Sequence, residues 1–163
     1  DLRHYGVASW ESFRVGQDDD SYLSLPEIVS RARTASDRAE TDSTHLRAIQ
    51  LPFNVFMADA FTVAAHDGAD GPQSVLWFAN DAGLDVFTSA SIMQGKLATE
   101  MPEQVEAKLD GETRAQRAIN FARSAPGVTS SLVGMGSPGH VAENVAAGTF
   151  EPLGASAFDA VFE

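Results

Sequence analysis

The sequence predicts an α/β fold in which a parallel sheet is covered by helices. Three observations point to it. Four short apolar segments alternate with four stretches of helical character, the pattern of repeated (β/α) units. The helical stretches open on capping residues, and Gly or Pro marks the breaks between segments. No repeat or low-complexity tract competes with this reading. Four units are half of a closed eight-unit barrel, which usually takes about 250 residues. On pattern by itself, an open four-stranded doubly wound sheet is the alternative. The 163 residues are expected to form a single domain, 1–163.

Tyr5-Gly6-Val7-Ala8-Ser9-Trp10 reads as the first strand, entered directly from Asp1-Leu2-Arg3-His4. A polar stretch follows. Its Asp18-Asp19-Asp20 run is read as a solvated acidic loop rather than a cation site. Ser24 stands three residues before Glu27 with Pro26 between them, which predicts a capping-box helix start. That helix carries Ile28, Val29 and Ala32 on one side, runs towards Glu40 and breaks at Thr41-Asp42-Ser43. Ala48-Ile49-Gln50-Leu51-Pro52-Phe53 suits a buried parallel strand meeting Pro at its end. Residues 58–65 are expected to be helical and 66–72 a loop by composition. A helix over 73–82 follows, with Gly83 as its C-cap.

Leu84-Asp85-Val86-Phe87-Thr88 makes the third strand, and 98–112 reads as acidic and irregular. Thr113 with Gln116 opens another capping-box helix, through Ala118, Ile119 and Phe121, that stops before Pro126-Gly127. Thr129-Ser130-Ser131-Leu132-Val133 is the fourth strand. After Gly134-Met135-Gly136 comes a helix over 138–147, with Ser137 as N-cap and Pro138 in its first position. Phe150, Phe158, Val161 and Phe162 predict a tail that packs down.

Composition excludes several classes of function. There are no cysteines, so disulfides, thiolate nucleophiles, iron–sulfur clusters and Cys-type zinc sites are ruled out. Asp+Glu number 23 against 11 Lys+Arg, a net charge of -12, which opposes nucleic-acid binding and an anionic membrane surface. No apolar run reaches the roughly 18 residues of a membrane span. No basic-then-apolar leader precedes the first strand, and the expected location is cytoplasmic. The four histidines, His4, His45, His66 and His140, show no paired ligand spacing, so no metal site is expected. No nucleophile-elbow pattern supports a Ser/His/Asp triad.

Four segments, in order, resemble the second half of an aldo-keto reductase. Tyr5-Gly6-Val7-Ala8-Ser9-Trp10 is similar to the family's G-V-S-N-[FW] segment at the fifth barrel strand. Ile49-Gln50-Leu51-Pro52-Phe53-Asn54 resembles the sixth-strand Q-x-x-[YF]-N segment. Gly83 to Phe87, continuing to Met93-Gln94-Gly95-Lys96-Leu97, is similar to the seventh strand and its S-P-L-x-x-G-x-L loop. Pro126 to Gly134, leading to Glu143-Asn144, resembles the eighth strand and the helix behind it. The resemblance spans residues 3–148. It implies strands five to eight of a TIM (β/α)8 barrel and an oxidoreductase that uses NADP, with NAD possible, to reduce an aldehyde or ketone.

The same resemblance implies a cofactor site. Gly134, Gly136, Ser137, His140, Glu143 and Asn144 would hold the adenosine end, with Glu143 and Asn144 at the adenine and Gly136 or Ser137 at the ribose phosphate. A glycine-rich turn opening a helix suits that task, because it offers free N–H groups and the positive dipole end. Ser9 and Gln50 would address the nicotinamide carboxamide, with Ser89 beside the ring. The sequence departs from the family at several points. Ser9 stands where Asn is expected and Ala8 where Ser is expected. Ser89 replaces a stacking aromatic, and Ser91 replaces a Pro. Gly136 stands where a basic residue often meets the 2'-phosphate, which leaves NADP against NAD open.

No catalytic residue is assigned in this chain. The family's Tyr, Lys, Asp and His belong to the first half of the barrel, and neither Tyr5, Tyr22, Lys96 nor Lys108 has the partners to replace them. The resemblance therefore implies a carbonyl substrate and, as partner, the missing N-terminal half or a second copy. The alternative is a catalytically inactive half-barrel, a fragment or a nucleotide-binding or self-associating module.

Overall fold

The computed structural model describes residues 3–162; Asp1 and Leu2, read above as leading into the first strand, lie outside the described residues, as does Glu163. Strands follow the order β1-β2-β5-β6 across one sheet, and a separate two-stranded hairpin joins β3 to β4. The chain gathers into two compact units, one of 1–51 with 59–87, the other of 52–58 with 88–163.

The first unit begins with β1 (Tyr5–Ala8), paired parallel to β2 (Leu46–Pro52), Val7 opposite Ile49 and Ala8 opposite Gln50. The strands approach so closely that a Cβ on Gly6 would lie 2.7 Å from the Ala48 carbonyl oxygen. Only glycine fits there. Helix α1 (Leu25–Arg38) connects the two strands and buries Leu25, Val29 and Ala32. Ser24 caps it, its hydroxyl accepting from the Glu27 N–H at 3.2 Å. The Glu27 carboxylate, however, turns to Arg31 one turn on, so only half of the expected capping box forms. The helix stops at Arg38, just short of Glu40, which sits at φ 54° where a chain leaves a helix.

The structure departs most from the sequence reading at 58–74. The expected helix is a single turn, α2 (Asp59–Thr62), and the expected loop is an antiparallel hairpin of β3 (Ala64–Gly68) and β4 (Gly71–Ser74). Gly68 faces Gly71, so Ala69 and Asp70 form a two-residue turn, with Gly71 at φ 123°. Helix α3 (Val75–Asp81) follows, shortened at its start because Gln73 and Ser74 belong to the hairpin. Gly83, at φ 69°, ends it as the sequence predicts, one position beyond the Ala82 cap. Strand β5 (Asp85–Ser89) alternates, with Val86 and Thr88 buried and Asp85, Phe87 and Ser89 half-buried.

In the second unit, two short helices, α4 (Lys96–Thr99) and α5 (Glu103–Glu106), occupy the acidic stretch. Glu106 accepts from both Arg114 and Arg117 and so ties α5 to α6 (Arg114–Ser124). The Thr113–Gln116 capping box at the start of α6 is complete. Strand β6 shrinks to Ser130–Ser131, held where the Leu132 N–H donates to the Thr88 carbonyl at 2.7 Å. Helix α7 (Pro138–Ala146) starts on Ser137, as the sequence predicts, and α8 (Ala155–Asp159) follows. The tail packs down: Phe158 and Val161 are buried, and Phe121 stacks with Phe53 at 5.5 Å and with Phe158 at 5.0 Å. Asn54, fully buried, accepts from Phe56 and Met57 N–H groups and donates to the Ala90 carbonyl, fixing 52–58 against the end of β5.

Candidate functional site

The nine candidate residues divide between the two units. Ser9 and Gln50 lie in the first, at the ends of β1 and β2, where the Ser9 N–H donates to the Gln50 carbonyl at 3.0 Å. The Ser9 hydroxyl accepts from the Ser12 N–H at 2.9 Å, closing the turn that leaves the strand. Its own proton remains to be donated elsewhere. Gln50 is half-buried and lines a cavity of about 210 Å³ with Val7, Ala48 and Phe87. Its carboxamide makes no hydrogen bond among the described residues, so both its donor and its acceptor stay available.

The other seven lie in the second unit, where a cavity of about 250 Å³ brings four of them together: Gly134, His140, Glu143 and Asn144. Ile92, Gly95, Ala98 and Ala115 complete its wall. The Ser137 hydroxyl is already engaged, accepting from the His140 N–H at 3.3 Å as the cap of α7. Helix α7 has nine residues, long enough for its unsatisfied N–H groups and dipole to favour an anion at its start. Asn144 is buried, yet its side-chain amide has no hydrogen-bond partner among the described residues, and neither has the Glu143 carboxylate. These two groups and His140, in the first turn of α7, are the polar residues this cavity offers a ligand. Ser89, Gly136 and Ser137 line neither cavity; the Ser89 carbonyl accepts from the Phe53 N–H at the end of β5.

Gln116 has a role here that its capping pattern does not announce. Its Oε1 accepts from the Glu112 and Thr113 N–H groups at 2.8 and 3.3 Å, while its Nε2 donates to the Glu143 carbonyl at 3.1 Å. One buried amide thus starts α6 and positions the turn of α7 that carries Glu143 and Asn144. Sequence reasoning finds the cap, because Thr-x-x-Gln is local, but not the reach to a residue 27 positions away.

The Tyr22 and Lys108 side chains are engaged elsewhere among the described residues. The Tyr22 hydroxyl donates to the Ala65 carbonyl at 2.6 Å, and the Lys108 ammonium donates to the Ala160 carbonyl. Lys96 is exposed at the start of α4. A larger cavity of about 330 Å³ lies between α1, the hairpin and α3, lined by Val29, Arg33, Gln73, Phe78 and Asp81 among others; none of the nine residues borders it. Among the described residues, no helix is long and apolar enough to cross a membrane.

Parallel strands joined by covering helices define a partial (β/α) barrel. Among solved structures, the chain is similar to the aldo-keto reductase AKR11C1 from Bacillus halodurans (holo form), with a TM-score of 0.63 over 98% of this chain and 49% of that one. The chain therefore spans about half the length of the structure it matches. At 14% identity the likeness is one of fold, and the fold is that of half an aldo-keto reductase. No family model matches the sequence, and no curated protein does.

Proposed function

We propose that this chain is the cofactor-holding half of an aldo-keto reductase-like oxidoreductase that reduces an aldehyde or ketone with NADP(H) or NAD(H). The observation that carries the reading is the second unit's cavity, where the unpartnered Asn144 amide and Glu143 carboxylate, from the later part of α7, line the wall together with His140 of its first turn. The donor set fits a nucleotide. An amide and a carboxylate can accept from and donate to an adenine edge, and the Ser137 turn presents N–H groups to a phosphate. At the other end, the free carboxamide of Gln50 matches a nicotinamide carboxamide in both donor and acceptor. Ser9 offers that group one further hydrogen bond.

A bound nicotinamide supplies the hydride; the protein's part is binding and orientation. Within the first unit, Gln50 and Ser9 would fix which ring face is offered; within the second, the cavity of α7 would hold the adenosine end. No basic residue stands at Gly136 to meet a 2'-phosphate, which favours tolerance of NAD as well as NADP. The proton donor must come from another polypeptide segment, the N-terminal half of the barrel or a second copy. The exposure of β1, with three of its four residues open to solvent, favours such a partner, because an uncovered strand edge invites pairing. The same exposure also suits the second reading, a self-associating half-barrel without activity of its own.

Titration of the chain with NADPH, followed by fluorescence and with NADH alongside, tests the reading. Saturable binding is expected, weakened roughly five- to tenfold by Asn144→Ala, as loss of one hydrogen bond implies. A folded chain that binds neither cofactor, or an Asn144→Ala variant that binds equally well, would overturn it.

A further inference from the structure

His66 is fully buried, whereas His4, His45 and His140 are exposed. Its ring closes a junction of three elements in the first unit. The Nε2 atom lies 3.0 Å from the Phe13 carbonyl oxygen, and Nδ1 lies 3.3 Å from the N–H of Leu25, the first residue of α1. A carbonyl can only accept and an N–H can only donate, so the ring must be neutral, with its proton on Nε2. Tyr22 stacks on the imidazole at 5.5 Å between centroids, and Phe78 of α3 lies tilted at 6.4 Å. Gln17 and Tyr22 both donate to the carbonyl of the adjacent Ala65. The connection after β1, the start of α1 and the hairpin therefore converge on residues 65 and 66.

A second proton would find only a distant acceptor, the Tyr22 hydroxyl oxygen 3.4 Å from Nδ1. It would sit on Nδ1, facing the Leu25 N–H, donor against donor, at the positive end of α1. The surrounding charges give little relief. Asp67, on the same strand, is the one carboxylate whose field favours the charged ring. Glu27 in the first turn of α1 is paired with Arg31, and Asp81 on α3 accepts from Gln73. Arg14, next to Phe13, is a cation paired with Asp59. Burial outweighs the Phe13 bond and Asp67, and holds the imidazole below its ordinary range.

We infer that His66 is an acid-sensitive latch: protonating its ring detaches the 10–24 connection and the start of α1 from the β3–β4 hairpin, while the second unit stays folded. The sign follows from the lowered value. The folded state binds the proton less readily than a free imidazole of pKa about 6.5. The latch is therefore at full strength above that pH, and it weakens as the pH falls from there through the folded-state value. The inference does not depend on the cofactor reading.

The test is NMR on the whole chain between about pH 7.5 and about pH 5, the range over which a free imidazole titrates. Ring-nitrogen spectra report the state of each histidine, and amide exchange reports opening. His66 is expected to remain in the neutral Nε2–H form below the pH at which a free imidazole of pKa about 6.5 takes up its proton. Protection of the Leu25 N–H is expected to fall by up to about tenfold per pH unit, the limit for one proton, while the Phe121 amide in α6 keeps its protection. His66→Gln preserves a donor for the Phe13 carbonyl and cannot titrate in this range, so its Leu25 protection should be flat with pH. The inference fails if His66 charges at or above the pKa of about 6.5 of a free imidazole, if it charges without loss of Leu25 protection, or if the His66→Gln chain keeps the acid sensitivity.

Discussion

Replacing Gln116 by Ala separates its two roles. The side chain is buried and makes three hydrogen bonds: two as acceptor from Glu112 and Thr113, and one as donor to the Glu143 carbonyl. At about 1 kcal/mol net for each well-formed bond, and less for the 3.3 Å contact, the loss is about 2–3 kcal/mol. Thr113→Ala removes only the reciprocal bond, from the Gln116 N–H to the Thr113 hydroxyl, and should cost about 1 kcal/mol, as lost caps do. The difference between the variants holds the strut to α7 together with the two bonds that Oε1 accepts, and it is protection in α7 that isolates the strut. Tryptophan fluorescence would follow the wrong part of the molecule, because Trp10 and Trp77 both belong to the first unit. Urea unfolding should instead be followed by far-UV circular dichroism and by amide exchange in α6 and α7. Equal losses for the two variants, or unchanged protection in α7 after Gln116→Ala, would refute the strut.

Two further substitutions test the packing of each unit. Gly6→Ala would place a methyl group 2.7 Å from the Ala48 carbonyl and should destabilise the β1·β2 pair by about 1–3 kcal/mol, read as a lower urea midpoint by fluorescence. Phe121→Ala empties the centre of the Phe53–Phe121–Phe158 stack and should cost about 3–5 kcal/mol by circular dichroism; a loss below about 1 kcal/mol would show that the stack collapses around the gap.

What could be read from the sequence was whatever is local in the chain. Ser137 with Pro138, and Thr113 with Gln116, declare helix starts within four residues, and both form where expected. The hairpin was not legible, because His66 to Pro72 has the composition of a loop. The Ala69-Asp70 turn, which leads into Gly71 at φ 123°, can be recognised only when the flanking strands are, and Ala64–Gly68 is too polar to announce one. Glu27 formed half a capping box because Arg31, one turn away, competes for its carboxylate. Burial of His66 depends on Phe13 and Leu25, 53 and 41 residues away, and no spacing rule reaches that far. Of the second-unit candidates, Gly134, His140, Glu143 and Asn144 line one cavity in the structure, whereas Ser89, Gly136 and Ser137 fall outside it.

The central claim is that the cavity beside α7 receives the adenosine end of a nicotinamide dinucleotide. The most direct measurement is a titration of the isotope-labelled chain with NADP⁺ or NAD⁺, followed residue by residue by NMR. The account predicts saturable shifts concentrated at the amides of 134–144 and at the Asn144 and Gln50 side-chain amides. Shifts confined to the α1–hairpin–α3 cavity around Val29, Arg33 and Phe78, or none in a folded chain, would contradict it.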